Sequence, residues 1–162
     1  MARVVIADAG PLIALARLDT LQVLAGLFGG AVAPPAVLDE CMAKDTADSR
    51  RIAQAIQTNL LRIESPDLPL PELPRSLGEG EKQAIALALG HPQSLLILDD
   101  RLARRQAARM GVAFIGIARL LHIAEQRGLI ASAEISVETL GKSGYRISPD
   151  VLRRVRREGE ET

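Results

Sequence analysis

Apolar residues recur along the chain in two alternating patterns. Short runs of Val, Ile, Leu and Ala, which are typical of strands buried on both faces, stand between longer stretches with the spacing of amphipathic helices. The predicted strands lie in "RVVIA", "GAVA", "LLRIES", "SLLIL" and "GVAFIGI". Strands that alternate with helices favour a parallel sheet with right-handed crossovers, so the pattern predicts an α/β fold.

Breaker residues set the ends of several predicted helices. Pro11 suits the first turn of the helix after the first strand, and Pro34 and Pro35 open the helix "PPAVLDECMA". Gly90 ends the helix that begins in "GEGE". Residues 65–78 are rich in proline and predict an extended surface loop rather than a domain boundary.

The alternation of strands and helices stops well before the C-terminus. Residues 131–162 end in "VLRRVRREGEET", in which Val151, Leu152 and Val155 share one helix face among arginines. An apolar stripe that short needs a surface to cover. We therefore expect a core domain over residues 1–130 and a helical extension over 131–162 that packs on that domain or on a dimer.

Two of the predicted strands end in aspartates. Asp8 follows the first strand, and Asp99 and Asp100 follow the fourth. Because the carboxyl ends of parallel strands meet at one edge of a sheet, Asp8 and Asp99 should lie near each other. Each alone is more often the N-cap of the following helix than a catalytic group, so the pair carries more weight than either member.

Two glutamates on predicted helices can join these aspartates. Glu40 lies beside an apolar stripe that includes Val37, and Glu81 shares one helix face with Ile85 and Leu89. The simpler interpretation of Glu40 is a solvated carboxylate at the rim of that stripe. The simpler interpretation of Glu81 is a first-turn acid that interacts favourably with the helix dipole.

Glu79 competes with Glu81 for the same role. If Ser76 is the N-cap, Glu79 falls at the third helical position and completes an S-x-x-E capping box. That arrangement gives Glu79 a local task, whereas Glu81 would need a cation to justify its position beside an apolar stripe. We therefore favour Glu81 for the site and keep Glu79 as the alternative.

Four carboxylates that converge on one edge cannot all remain ionised without cations. Oxygen-only ligands suit Mg²⁺ or Mn²⁺. Such ions lower the pKa of a bound water, orient it for in-line attack on a phosphodiester and offset charge on the leaving oxygen. The acids therefore predict metal-dependent phosphodiester hydrolysis, with the catalytic and metal-binding roles carried by Asp8, Glu40, Glu81 and Asp99.

Arginines follow the second pair of acids. Arg101, Arg104, Arg105 and Arg109 have spacings that place them largely on one helix face, which begins beside the aspartates. Such a face can hold backbone phosphates without reading bases, although an ordinary solvated face explains the same spacing. We expect Arg101, Arg104 and Arg105 to contact RNA.

Composition narrows the class of protein without adding a site. Lys plus Arg (20) balances Asp plus Glu (20), so any nucleic-acid site has to be a local concentration of charge. The single cysteine forms no internal disulfide and fits a reducing compartment. No run reaches the roughly 20 apolar residues of a membrane span. We expect a cytoplasmic protein that does not bind membranes.

Five segments, taken in order, resemble the PIN-domain nucleases, and most closely their VapC-like toxin branch. These are "VVIADAGPLIALARL", "PPAVLDE", "SLGEGEKQAIALAL", "LLILDDRLARRQAARMGVAFIGIARLL" and "GKSGYRISPDVLRRVRREGE". The resemblance assigns Asp8 to the first metal-binding acid of the family and Glu40 to the second. The third falls within "GEGE", and the fourth falls within "DD", where Asp99 is the better match and Asp100 assists as a secondary ligand.

The resemblance implies a three-layer α/β/α fold with a central parallel sheet, Mg²⁺- or Mn²⁺-dependent ribonuclease activity, a homodimer, and a toxin neutralised by an antitoxin protein. One position departs from the family, since PIN proteins usually follow the first aspartate with Thr or Ser and this chain has Ala9. The alternative is therefore a catalytically silent PIN-like module that binds RNA or protein. A phosphoacceptor domain also gathers aspartates around Mg²⁺, but it usually has adjacent acids after its first strand.

Overall fold

The computed structural model describes residues 3–160, and these form five strands and nine helices. The strands are β1 (Val5–Ala7), β2 (Ala31–Ala33), β3 (Leu61–Ile63), β4 (Leu95–Ile97) and β5 (Ala113–Ile115). The helices are α1 (Ala9–Arg17), α2 (Gln22–Phe28), α3 (Pro35–Cys41), α4 (Ala47–Gln57), α5 (Glu79–Leu89), α6 (Arg101–Arg109), α7 (Ile117–Gln126), α8 (Ala133–Lys142) and α9 (Pro149–Glu160). Residues 1, 2, 161 and 162, the outer ends of the two predicted segments, lie outside the described residues.

All five strands belong to one parallel sheet with the order β3-β2-β1-β4-β5. β1 is the middle strand, because the chain first adds β2 and β3 on one side of it and then β4 and β5 on the other. The direction of strand addition reverses between β1 and β4, which makes their carboxyl ends the switch point of the sheet. The predicted parallel α/β fold is confirmed, and the acids of β1 and β4 lie at this switch point.

Alternating side chains of the strands form two separate cores. Val5 and Ala7 of β1 pack in a large core with side chains of α1, α3, α4, α7 and α8. Ile6 and Leu96 point to the other face and pack with α5 and α6. Helices therefore cover both faces of the sheet, which confirms the three-layer α/β/α architecture.

Helix α8 is an element that the hydrophobic pattern did not predict. Its N-cap, Ser132, accepts a hydrogen bond from the Ile135 N–H at 3.2 Å, and its buried residues Ala133, Val137 and Leu140 have helical spacing. The stripe is narrow because most of the helix surface faces solvent, so the periodic signal is weak.

The C-terminal helices both pack against α7. Leu152 and Val155 of α9 are buried, and Leu152 belongs to the large core. The extension therefore lies against the sheet domain in this chain. Its separation from residues 1–130 as a distinct unit stays a prediction, as does any contact with a dimer partner.

No single helix within residues 3–160 has the length and apolarity needed to cross a membrane. α1 and α2 pass that test only when taken as a pair, and the chain bends by 114° between them. Leu12 and Leu15 of α1 and Leu24 of α2 are fully buried in the large core.

Candidate active site

Asp8 lies where β1 passes into α1. Its backbone N–H donates to the carbonyl oxygen of Ile97 at 3.1 Å, which ties this turn to β4. Asp8 occupies the N-cap position of α1, yet its side chain makes no capping hydrogen bond. The side chain is instead buried, with the residue 7% exposed, and its Oδ1 has no hydrogen-bond partner. A helix cap therefore does not account for this carboxylate.

Burial raises the pKa of Asp8 to about 6. The backbone N–H of Ala9 lowers it, whereas the charges of Glu40, Asp100 and Asp99 raise it further. At neutral pH the Asp8 carboxylate is thus charged, poorly solvated and surrounded by other acids, which is an environment that favours a bound cation.

The two aspartates after β4 have different tasks. Asp100 is the N-cap of α6, and its Oδ1 accepts a hydrogen bond from the Ala103 N–H at 2.8 Å. Asp100 also raises the pKa of both Asp8 and Glu81, so it faces the other acids. The capping role that the sequence offered for such aspartates therefore applies to Asp100 and not to Asp8.

Asp99 is held by three donors from separate parts of the chain. Its Oδ1 accepts from the Ile117 backbone N–H at 3.1 Å and lies 3.5 Å from Nη2 of Arg104. Its Oδ2 accepts from the Tyr145 hydroxyl at 2.6 Å. Asp99 is consequently the most firmly positioned of the acids, and fewer of its lone pairs remain for a ligand.

Gly116 makes room for the Arg104 and Asp99 pair. A Cβ at Gly116 would stand 2.0 Å from Nη2 of Arg104 and 2.8 Å from Oδ1 of Asp99. Arg104 is also fixed by its Nε, which donates to the Leu98 carbonyl at 2.8 Å, and its guanidinium lies 5.3 Å from the centre of the Phe114 ring. Arg104 therefore has a supporting role for Asp99 that its position on the helix face did not indicate.

Tyr145 is the site residue that the sequence did not single out. It is the only tyrosine of the chain and lies between α8 and α9. Its hydroxyl stands 3.5 Å from the position of a Cβ on Gly10, so it reaches the first turn of α1 as well as Asp99. Burial, followed by the charge of Asp99, raises the pKa of the phenol, and Tyr145 is therefore a hydrogen-bond donor at neutral pH.

The N-terminus of α5 differs from the expected capping box. The N-cap is Gly78 and not Ser76, and the Gly78 N–H donates to Oε1 of Glu81 at 3.3 Å. The expectation that Ser76 caps the helix and that Glu79 completes the box is wrong. Buried Leu77 donates its N–H to the carbonyl of Pro74, so Ser76 lies in a turn that closes before the helix begins.

Glu81 nevertheless faces the acids, and Glu79 does not. Oε2 of Glu81 is buried without a hydrogen-bond partner, and burial raises the pKa of Glu81 to about 7, with contributions from Asp100 and Asp8. Glu79 is exposed and pairs with Lys82 at 3.4 Å. One oxygen of Glu81 therefore closes the first turn of α5, while the other points to the shared site.

Glu40 lies at the exposed side of the acidic group. A Cβ on Gly80 would stand 3.4 Å from Oε2 of Glu40 and 3.2 Å from Cγ2 of Val37, so α3 and α5 approach closely where α5 lacks a side chain. Glu40 contributes to the raised pKa of Asp8 and of Cys41. Burial is the largest cause for Cys41, whose thiol pKa rises to about 12, so this cysteine is not a nucleophile at neutral pH.

The carboxylates form an open group rather than a closed metal cage. Across the part of the chain that the structure describes, no three His, Cys, Asp or Glu side chains stand close enough together to hold an ion as they are. The donor chemistry still fits a hard divalent cation, because oxygens of Asp8 and Glu81 are buried and unpartnered.

The predicted RNA-contacting arginines occupy different surroundings. Arg101 and Arg104 line a groove together with Asp99, whereas Arg105 is exposed and lies outside that lining. Their contact with RNA stays a prediction.

An open parallel sheet with an acidic group at its switch point defines an α/β protein whose site resembles that of a nuclease. A family model described as a PIN domain matches residues 4–161, so the chain belongs to the PIN-domain family. Proteins of this family are typically metal-dependent nucleases, and membership indicates a nuclease-type function in general. A search of curated proteins gave no match.

Replacing Asp8 by Asn should stabilise the metal-free protein above pH 6. The folded-state pKa of Asp8 is about 6 against an ordinary value of 3.8, so the contribution of the neutral carboxyl to stability is full below 3.8 and is lost as the pH rises through 6. The difference corresponds to about 3 kcal/mol for the ionised form. Asn is neutral at every pH, so Asp8→Asn should raise the free energy of unfolding at pH 7.5 in EDTA by an amount of this order.

The comparison needs a second pH and a matched acid. At pH 3.5 the gain should nearly vanish, because the wild-type carboxyl is then protonated in the folded state and mostly protonated in the unfolded state. Asp67→Asn in the exposed loop before α5 makes the same chemical change outside the site and should give no such gain. If Asp8→Asn lowered the free energy of unfolding at both pH values, the ionised Asp8 carboxylate would not be destabilising the metal-free fold.

Tyr145→Phe should lower the free energy of unfolding by about 1–2 kcal/mol, because it deletes a buried hydrogen bond to a charged acceptor. A double-mutant cycle with Asp99→Asn isolates that contact. The two changes should be coupled by a similar energy, whereas Tyr145→Phe and Asp67→Asn should be additive. Additivity of the Tyr145 and Asp99 changes would show that the hydroxyl does not support this acid in solution.

Proposed function

We propose that the protein is an Mg²⁺- or Mn²⁺-dependent endoribonuclease that hydrolyses RNA phosphodiester bonds. The observation that supports this most strongly is the pair of buried, unpartnered oxygens, Oδ1 of Asp8 and Oε2 of Glu81, within a larger group of acids. Buried polar atoms are nearly always partnered in folded proteins, and the charge of Asp8 is one cause of the raised pKa of Glu81, so two orphaned oxygens within one acidic group favour a cation as the missing partner.

Each acid has its own part in the proposed mechanism. Asp8 and Glu81 would hold the ion through these oxygens, with Glu40 and Asp100 completing the negative surroundings. When bound, a divalent ion supplies a water of lowered pKa and offsets charge on the leaving oxygen. Asp99, fixed by its three donors, is placed to orient a water by accepting a hydrogen bond from it.

The resemblance to the VapC-like branch extends the proposal to the biological role. We infer that the chain is the toxin of a toxin–antitoxin pair, acts in the cytoplasm as a homodimer and is neutralised by a small antitoxin protein. The second candidate is a catalytically silent PIN-like module that binds RNA or protein. Ala9 favours it, because the hydroxyl that commonly supports the first aspartate is missing there. Family membership argues against a phosphoacceptor domain.

Cleavage of single-stranded RNA is the direct test. Wild-type protein should cleave a labelled RNA with Mg²⁺ or Mn²⁺ and not in EDTA, and Asp8→Asn should lose at least a hundredfold in rate, in the range of a lost acid–base or electrostatic group. Because Asp8→Asn is expected to be at least as stable as wild type, unfolding cannot explain that loss. If the Asp8→Asn variant cleaved RNA at the wild-type rate, Asp8 would not belong to the metal site. If the wild-type protein bound RNA without cleaving it, that result would support the silent module.

The two glutamates of α5 give the sharper comparison. Glu81→Gln should abolish activity and weaken Mn²⁺ binding by titration, whereas Glu79→Gln should retain most of both. A glutamine at position 81 keeps an amide oxygen that can accept from the Gly78 N–H, so the helix start should survive. Because Gln also removes a charge that burial disfavours, the variant should melt no lower than wild type. If Glu79→Gln lost more Mn²⁺ affinity than Glu81→Gln, Glu79 would be the metal-binding residue in place of Glu81.

A further inference from the structure

A groove of about 880 Å³ runs beside the acidic group. One wall comes from α6 and the junction of β5 with α7, and the other comes from the C-terminal segment, residues 144–158. Asp99 and Tyr145 both line the groove, so it meets the acidic group at Asp99. The groove therefore joins the candidate active site to a surface built from the far end of the chain.

The charge of this groove is strongly unbalanced, although the whole chain has 20 basic and 20 acidic residues. Its charged lining consists of five arginines and two acids. Each acid is paired with an arginine, Asp99 with Arg104 and Glu158 with Arg119. Three arginines therefore remain in excess along one concave surface.

The excess arginines are Arg101, Arg146 and Arg154, and among the described residues none of them has an ion pair or a side-chain hydrogen bond. They come from three different elements, namely α6, the segment between α8 and α9, and α9 itself. A solvated helix face would place its charges along one helix. Here three separate elements direct unpaired guanidinium groups into one groove, which raises its potential for anions.

We propose that this groove binds the phosphate backbone of single-stranded RNA, with Arg101, Arg146 and Arg154 as the contacting side chains, so that the C-terminal segment forms half of the substrate site. The proposal rests on the proposed function, since it places the strand that the acids would cut. Guanidinium groups match phosphate oxygens in two parallel hydrogen bonds. The groove is not enclosed, so a flexible single strand can enter it from solvent.

The rest of the lining fits the non-phosphate parts of such a strand. Ile147, Val151 and Val155 offer apolar contact beside the arginines, which suits riboses and base faces. Arg146 directly follows Tyr145, whose hydroxyl donates to Asp99, and Arg146 and Asp99 line the same groove. Binding by phosphate and apolar contact predicts tolerance of RNA sequence, because neither reads base edges.

The test measures binding without cleavage. In an Asp8→Asn background, the affinity of a fluorescent single-stranded RNA is titrated against salt, with and without Arg146→Gln and Arg154→Gln. Two lost phosphate contacts should reduce the steepness of log affinity against log salt by about 1.4. The variant should therefore lose roughly 25-fold more affinity at 0.1 M salt than at 1 M salt. Arg146→Lys with Arg154→Lys keeps both charges and should restore most of the slope.

A matched control separates this groove from general charge. Arg127→Gln with Arg157→Gln removes the same charge from two exposed arginines that lack an ion pair in the described chain and do not line the groove. This pair should leave the slope nearly unchanged. Equal slopes for the groove variant and the control variant would overturn the proposal, as would equally tight binding of poly-glutamate.

The outcomes also distinguish this proposal from the proposed function. If RNA binding depended on Arg146 and Arg154 but the protein cut no RNA with Mg²⁺ or Mn²⁺, the proposed nuclease activity would be wrong and the RNA-binding groove would stand. If the protein cleaved RNA and neither arginine affected the cleavage, the proposed nuclease activity would stand and the groove would not be the RNA-binding site. A thermal melt of each variant confirms that the compared proteins are folded.

Discussion

Repulsion between carboxylates at the carboxyl edge of one parallel sheet is the constraint on which the site depends. The sheet order places β1 beside β4, so the acids that follow these strands are forced together. The chain offsets this repulsion differently for each acid. Asp100 has the N-terminus of α6, Asp99 has Tyr145 among its donors, and Glu81 has the Gly78 N–H. Asp8 has the Ala9 N–H and keeps an Oδ1 without a partner, so its charge is only partly compensated.

This unequal compensation sets which acids are fixed and which remain available. Asp99 has donors on both oxygens and little freedom, so it suits a positioning role. Asp8 and Glu81 each keep a buried oxygen without a partner, and the pKa of each is raised. A cation that binds only the folded chain would add stability at those two residues, because it would replace repulsion with attraction. The repulsion between these carboxylates in the metal-free protein is thus a consequence of keeping their oxygens available for a ligand.

The sequence predicted the parts of this arrangement that depend on local pattern. The alternation of apolar runs and helices predicted the sheet, and strand ends predicted Asp8 and Asp99, because one rule of sheet geometry links the two. Tyr145 could not be found in this way, since 46 positions separate it from Asp99 and no periodicity connects them. The start of α5 within "GEGE" was predicted correctly, whereas the conditional cap at Ser76 was not, because the N-cap is Gly78 and Leu77 before it is buried.

The C-terminal segment is tied to the chemistry more closely than its place after the sheet domain indicated. The hydroxyl that PIN proteins usually carry after the first aspartate is replaced by Ala9, which has none, and Tyr145 brings a hydroxyl to the same edge from the other end of the chain. That hydroxyl bonds Asp99 and not Asp8, so it does not restore the missing group in kind. It does make the position of one acid depend on the packing of α8 and α9 against α7, and any change that loosens those helices should therefore reach the site.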